Sequence, residues 1–212
     1  MSQLLRGLRY HAAMKVERLT KTHRDEAVET LVAAFWDYPV MRFVLGDTDR
    51  YPAHIRAMIG LYADMRFARD WPVLGVRKEG KLAGVALISD PETKPLPAAY
   101  AGIEERLRAT IGEAAWQRML AFENQSDGLE PKCPHYFVGM LGVLPEYQGT
   151  GLSRLIMDEA NRISSEDPRS EALCLSTESP GNLPYYEHLG FNVVGDADVG
   201  ALHTWALIKP TP

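Results

Sequence analysis

"LGVLPEYQGTGLSRLIMDEA", residues 141–160, joins an apolar run to an amphipathic one through a proline and two glycines that flank a threonine. The run that leads into it, "HYFVGMLGV" (135–143), has the length and composition of a strand. Beyond Gly151, residues Leu152, Leu155, Ile156, Ala160 and Ile163 recur at helical spacing. A helix N-terminus presents unpaired N–H groups and about half a positive charge. Glycine lets such a backbone approach a bulky anion with no Cβ in the way. The residues therefore fit a cradle for phosphate or pyrophosphate, and they fit equally a tight turn with nothing bound. A Walker loop requires a Lys-Ser/Thr pair after its second glycine, and none is here. The dinucleotide fingerprint requires a third glycine where Arg154 stands, and "LPEYQ" separates Val143 from Gly149.

Upstream, "MKVERLT" (14–20) alternates as a strand, and Thr22 with Asp25 marks a helix start. Val28, Leu31, Val32 and Phe35 carry that helix to "DYP" at 37–39. A second helix is predicted over 51–70, then a hairpin of "VLGVR" and "KLAGVALIS" turning at Glu79-Gly80. The proline-rich segment 90–97 reads as a loop and 98–124 as one helical insert. Downstream come a strand at 172–176, a short helix at 182–189, and closing strands in "FNVVG" and "ALHTWALI". Strands that alternate with helices late in the chain but pair as hairpins elsewhere predict an α/β fold with a mixed sheet. Residues 1–13, free of acids and carrying Arg6 and Arg9, read as a flexible extension before a single domain over 14–212.

The 212 residues are 46% hydrophobic and 24% charged, with a net charge of −5. No long basic block is present, so nucleic acid is not expected as a partner. No apolar stretch reaches the length of a bilayer span, so no membrane association is expected. Cys133 and Cys174 share no metal-ligand spacing and suggest a reduced, cytoplasmic setting. His11, His23, His54, His188 and His203 show no ligand spacing, and no metal is implied.

"VLPEYQGTGLS" resembles the acyl-CoA motif Q/R-x-x-G-x-G/A of the GNAT superfamily of N-acetyltransferases, with Gln148, Gly151 and Ser153 in its positions. Serine replaces the usual last glycine or alanine. "NLPYYEHLGF" (182–191) is similar to the family's N-x-x-x-Y-x-x-x-G-F ending through Asn182, Tyr186, Gly190 and Phe191. The resemblance covers residues 14 to about 208 and implies a mostly antiparallel sheet flanked by helices, with the helical insert ahead of the central strand. It implies acetyl-CoA as cosubstrate, held by Gln148, Gly149, Thr150, Gly151, Leu152 and Ser153, with Leu141, Gly142 and Val143 along its pantetheine arm. It further implies Asn182 on that arm and Tyr186 as the acid that protonates the departing sulfur. Within the superfamily, "AAFWDYP" (33–39), "GNLPYYEHLGF" and "TWALIKP" most resemble puromycin N-acetyltransferase and its relatives. Those relatives often carry a glutamate where this chain has Ser176, so no catalytic role transfers to that position.

Acetyl transfer to an amine needs a neutral amine, a stabilised oxyanion and a protonated leaving thiolate. Neutralising a lysine-like amine near pH 7 costs roughly 4–5 kcal/mol. A positioned base contributes ~10²–10⁴-fold. Glu178 is the first candidate base, with His135 behind it, and a backbone N–H near Leu141 to Val143 is the expected oxyanion donor. Phe35, Trp36, Asp37 and Tyr38 are the candidate acceptor-binding residues, Tyr62 is a further aromatic expected beside that pocket, and the insert, with Trp116 and Phe122, is the candidate lid. The acceptor expected is a small-molecule amine. A protein lysine or N-terminus and a non-catalytic acyl-CoA sensor are the alternatives, and pairing of a late edge strand predicts a possible homodimer.

Overall fold

The computed structural model describes residues 14–211, so the extension read over 1–13 lies outside the described residues. One seven-stranded mixed sheet runs through them in the order β1-β2-β3-β4-β5-β7-β6. Its strands are β1 (Val16–Arg18), β2 (Val73–Lys78), β3 (Lys81–Ser89), β4 (His135–Val143), β5 (Ala172–Thr177), β6 (Asn192–Val199) and β7 (Leu202–Pro210). Only β4 and β5 pair in parallel. The hairpin turn between β2 and β3 has positive φ at both Glu79 and Gly80, the backbone that matches strand twist in a two-residue loop. β3 is buried over nearly its whole length, which is why "LAGVALI" reads as a continuous apolar run rather than an alternating one.

Among the described residues seven α-helices cover the two faces: α1 (Arg24–Phe35), α2 (Pro39–Leu45), α3 (Tyr51–Ala68), α4 (Ile103–Ile111), α5 (Glu113–Leu129), α6 (Leu152–Glu166) and α7 (Leu183–His188). Helices α1 to α5 pack a core around Leu31, Ile55, Ile59, Leu87 and Met119. On the other face α6 and α7 close over Ile88, Val138, Ile156, Leu173 and Leu207. Asp25 and Glu26 in the first turn of α1 complement its dipole.

The insert is divided into two helices, because Gly112 at φ 83°, ψ 161° lies outside helical space and ends one helix while opening the next. The first helix ends at Phe35, ahead of "DYP" as expected; Tyr38 is then extended and Pro39 opens a further short helix, α2, at a position where the missing proline N–H costs nothing.

The sheet opens where its parallel pair ends. β4 and β5 pair only from His135↔Ala172 to Val138↔Leu175. Beyond that, β4 stays with β3 and β5 with β7. At the point of separation Leu87 pairs with Met140 and Ile88 with Val138, which leaves Gly139 unmatched. An extra residue of this kind bends its strand, and the wedge it starts is where the candidate site lies.

Candidate active site

Two cavities meet at the wedge. The smaller, about 350 Å³, runs along the end of β4 and the glycine turn. The larger, about 810 Å³, is walled by α1, α3, α5 and the ends of β4 and β5. Phe35, Tyr38, Leu141, Asn182 and Tyr186 line both.

The smaller groove is made of backbone and uncharged side chains. Gly149 (φ 73°) and Gly151 (φ 86°) hold left-handed backbone, and nothing lies within 4 Å of where a Cβ on either would point. Gln148 Nε2 donates to the Val143 carbonyl (3.2 Å) and Thr150 Oγ1 to the Tyr147 carbonyl (2.7 Å), which ties the turn to the strand it leaves. Gly151 is the N-cap of α6 with no side chain to cap it. The first N–H groups of α6 therefore have no capping side chain, the arrangement that suits an anion at a helix start. This is a cradle that fits a pyrophosphate. Leu141, Gly142, Val143, Gln148, Gly149, Leu152 and Ser153 line the groove together with Asn182. Gly142 has a further reason to be glycine: a Cβ there would come within 2.8 Å of Ala34 Cβ, so the residue lets α1 lie against β4.

At the junction, Tyr186 on α7 is 9% exposed, with its ring between Tyr185 (centroids 5.2 Å apart) and Phe191 (6.0 Å). Its hydroxyl makes no hydrogen bond to the described residues and is not sealed from the cavities. Burial, reinforced by Tyr185 and Glu178, pushes the phenol above its ordinary pKa, so it holds its proton at neutral pH. Tyr185 also lines the groove. On a helix this short, neighbouring positions can both reach one opening.

Glu178, just past β5, is 8% exposed. Its Oε1 accepts from Thr204 Oγ1 (2.8 Å), while its backbone N–H donates to the Tyr38 hydroxyl (3.1 Å). Burial holds its carboxyl above the usual carboxylate range. Ser176 and Glu178, two residues apart, both face the larger cavity. Tyr38 shares a hydrogen bond with Thr177 Oγ1 (3.1 Å), which also accepts from Asn182 Nδ2 (3.1 Å). Asn182 thus sits at the N-cap position of α7 but spends its amide on Thr177, fixing the loop that carries Glu178.

The four candidate acceptor-binding residues divide. Phe35 and Tyr38 line the larger cavity. Trp36 is 37% exposed and Asp37 points outward, with its carboxylate accepting from Arg42 Nη2 at 2.6 Å, so neither faces the cavity. His135 lines only the far end, where Nδ1 faces the Cys133 carbonyl (2.8 Å) and Glu130 raises its pKa. Six residues of strand separate it from Leu141, on the order of 20 Å, too far for a base at the junction. Tyr62 on α3 also lines the cavity, as its aromatic character suggested, and its hydroxyl donates to Glu123 Oε1 (2.8 Å); the residues that sequence reasoning did not find are Arg66 on α3 and Glu123 on α5.

Residues 130–202, from the end of α5 into β7, match the family model described as an acetyltransferase (GNAT) domain. The chain is similar to a solved structure described as a histone acetyltransferase HPA2 and related acetyltransferase from Corynebacterium glutamicum, with 22% identity, 94% and 97% of the two chains covered and a TM-score of 0.73. It is also similar to arylalkylamine N-acetyltransferase 2 of Aedes aegypti (12% identity, 94% and 100% covered, TM-score 0.68) and to the polyamine N-acetyltransferase of Drosophila melanogaster (12%, 93% and 99%, TM-score 0.62). The fold over the described residues is the one seen in these acetyltransferase structures. Among the described residues no helix is long and apolar enough to cross a membrane, and no group of three or more acidic, His or Cys side chains is placed to hold a metal ion.

Proposed function

We propose that residues 14–212 act as one catalytic domain that moves an acetyl group from acetyl-CoA to the primary amine of a small molecule. The observation that carries this is the junction. A charge-free groove with a bare anion cradle and a larger, polar cavity meet at one unbonded tyrosine hydroxyl. Acetyl-CoA supplies the activated acyl group, with its pyrophosphate on the amides of residues 149–153 and its pantetheine arm along Leu141 to Val143. An arylalkylamine and a polyamine acetyltransferase among the similar structures favour a small acceptor. So does the wall that α5 builds across the larger cavity. The resemblance to puromycin N-acetyltransferase adds bulky aromatic amines to the candidates.

The chemistry follows from the residues. The amine nitrogen attacks the thioester carbonyl, the C–S bond breaks, and the acetamide forms. The Tyr186 hydroxyl gives its proton to the departing sulfur and regains one from solvent, to which the acylated nitrogen sheds its second proton. A thiolate leaving into the same dry space is itself raised in pKa by burial, which narrows the gap to the raised phenol. The backbone N–H near Leu141 holds the oxyanion, pre-oriented at no cost during reaction. Glu178, deprotonated, takes the proton from the incoming ammonium through water.

The test is thiol release from acetyl-CoA across puromycin, polyamines, arylalkylamines, aminoglycosides, ω-amino acids and a lysine peptide, with the acetylated product identified by mass. Release with one amine class and not with the peptide is expected. Tight acetyl-CoA binding without release to any amine would favour an acyl-CoA sensor instead.

A further inference from the structure

Arg66 on α3 is unlike the other arginines that carry hydrogen bonds. Arg24, Arg42, Arg56, Arg77, Arg162 and Arg169 pair with carboxylates, and Arg69 and Arg118 bind backbone carbonyls. Arg66 lies in the wall of the larger cavity, and no carboxylate among the described residues comes within ion-pair distance of it. Its Nη2 donates to Ser89 Oγ (3.1 Å), and its Nε is sealed from solvent without a partner. Nη1 makes no hydrogen bond and is not sealed, so it opens on the cavity. The charged groups around it are otherwise engaged. Glu123 accepts from Tyr62, Glu130 lies beside His135 (3.6 Å), and Arg69 binds the Lys94 carbonyl. Burial pushes the guanidinium down to about 10, still charged at neutral pH.

The position of this charge is built into the central strand. A Cβ at residue 139 would stand 2.8 Å from Arg66 Nη2, so the unmatched Gly139 of β4 is what admits the guanidinium. Leu141, where the oxyanion donor is proposed, is two residues further along, on the order of 7 Å away. A buried charge without a counterion is costly unless a ligand completes it, and an arginine fork suits a carboxylate.

We propose that the acceptor carries a carboxylate as well as its amine, and that Arg66 binds that carboxylate at the Gly139 bulge while the amine reaches the junction at Tyr186. This rests on the acetyltransferase reading and sharpens its substrate class to amino acids with a spacer between amine and acid.

The experiment compares 5-aminopentanoate and 4-(aminomethyl)benzoate, each against its primary amide. Binding is measured by calorimetry in the presence of CoA, and turnover by thiol release. The acids are expected to bind at least tenfold more tightly than the amides. Arg66→Gln should bring the ratio to about one, and Arg66→Lys should keep part of it. Comparable binding of acid and amide to the wild-type protein, absence of acid-selective binding, or a preference that survives Arg66→Gln in a variant with native melting behaviour overturns the assignment. The wild-type comparison decides even if Arg66→Gln fails to fold. Acid-selective binding with no thiol release from any amine would instead leave the Arg66 site standing and remove the transferase reading.

Discussion

The glycine-turn groove and the larger cavity share five lining residues, yet they are built in opposite ways. The groove is backbone and uncharged side chains drawn mostly from one continuous stretch, Leu141 to Ser153, closed by α7. The cavity takes charged and aromatic side chains from helices and strands far apart in the chain, as when Tyr62 meets Glu123 across 61 positions or Tyr38 meets Thr177 across 139. A constant ligand can be held by main-chain geometry, which tolerates side-chain change around it. A particular acceptor has to be recognised by side chains, and those can be exchanged without disturbing the turn.

The largest expected effect tests the point where the two regions meet. Tyr186→Phe should lower kcat by about tenfold or more, within the range of acid–base contributions, while both KM values stay near wild type in two-substrate kinetics. Unchanged kcat would remove the acid from the account.

Next, Gly151→Val forces a branched side chain into left-handed backbone at φ 86°, a strain of about 1–2 kcal/mol. The acetyl-CoA KM should rise roughly tenfold if most of that strain falls on the binding geometry, with the acceptor KM unmoved. A matching rise in the acceptor KM would erase the division between the regions.

Glu178 offers a smaller, pH-dependent effect. Its folded carboxyl is held above the usual range by burial. Between the pH where the unfolded chain ionises it and that raised value, the folded protein keeps a proton that the unfolded chain has lost. Stability from this group is therefore present at low pH and lost as pH rises through that window. Glu178→Gln keeps an oxygen for Thr204 and loses the titration. Its melting temperature relative to wild type should rise from acid to neutral pH, and its turnover should fall. A flat difference across pH would contradict the buried ionisation.

The smallest effect is expected at Asp37. Paired with Arg42 on the surface, it contributes no more than about 1 kcal/mol, and Asp37→Asn should leave both KM values within about twofold. An acceptor KM that rises in this variant would return Asp37 to the pocket.

The same division explains what could be read from the sequence. The glycine turn is legible because positive φ, a following helix and a preceding strand are all local. Tyr186 and Asn182 are legible because their spacing on one short helix is fixed by the chain itself. Trp36 and Asp37 were grouped with Phe35 and Tyr38 by adjacency, but the turn between α1 and α2 sends the inner pair of that tetrad outward. Arg66 carries no local mark at all. It reads as one more polar position on an amphipathic helix, and only the unmatched Gly139, contributed by a distant strand, gives it a place beside the wedge.

The most direct measurement is a crystal structure with CoA bound. The pyrophosphate is expected on the amides of residues 149–153 and the sulfur within hydrogen-bond reach of the Tyr186 hydroxyl, with the larger cavity left open to the acceptor. CoA with its sulfur turned away from Tyr186, or with its pyrophosphate off the glycine turn, would contradict this.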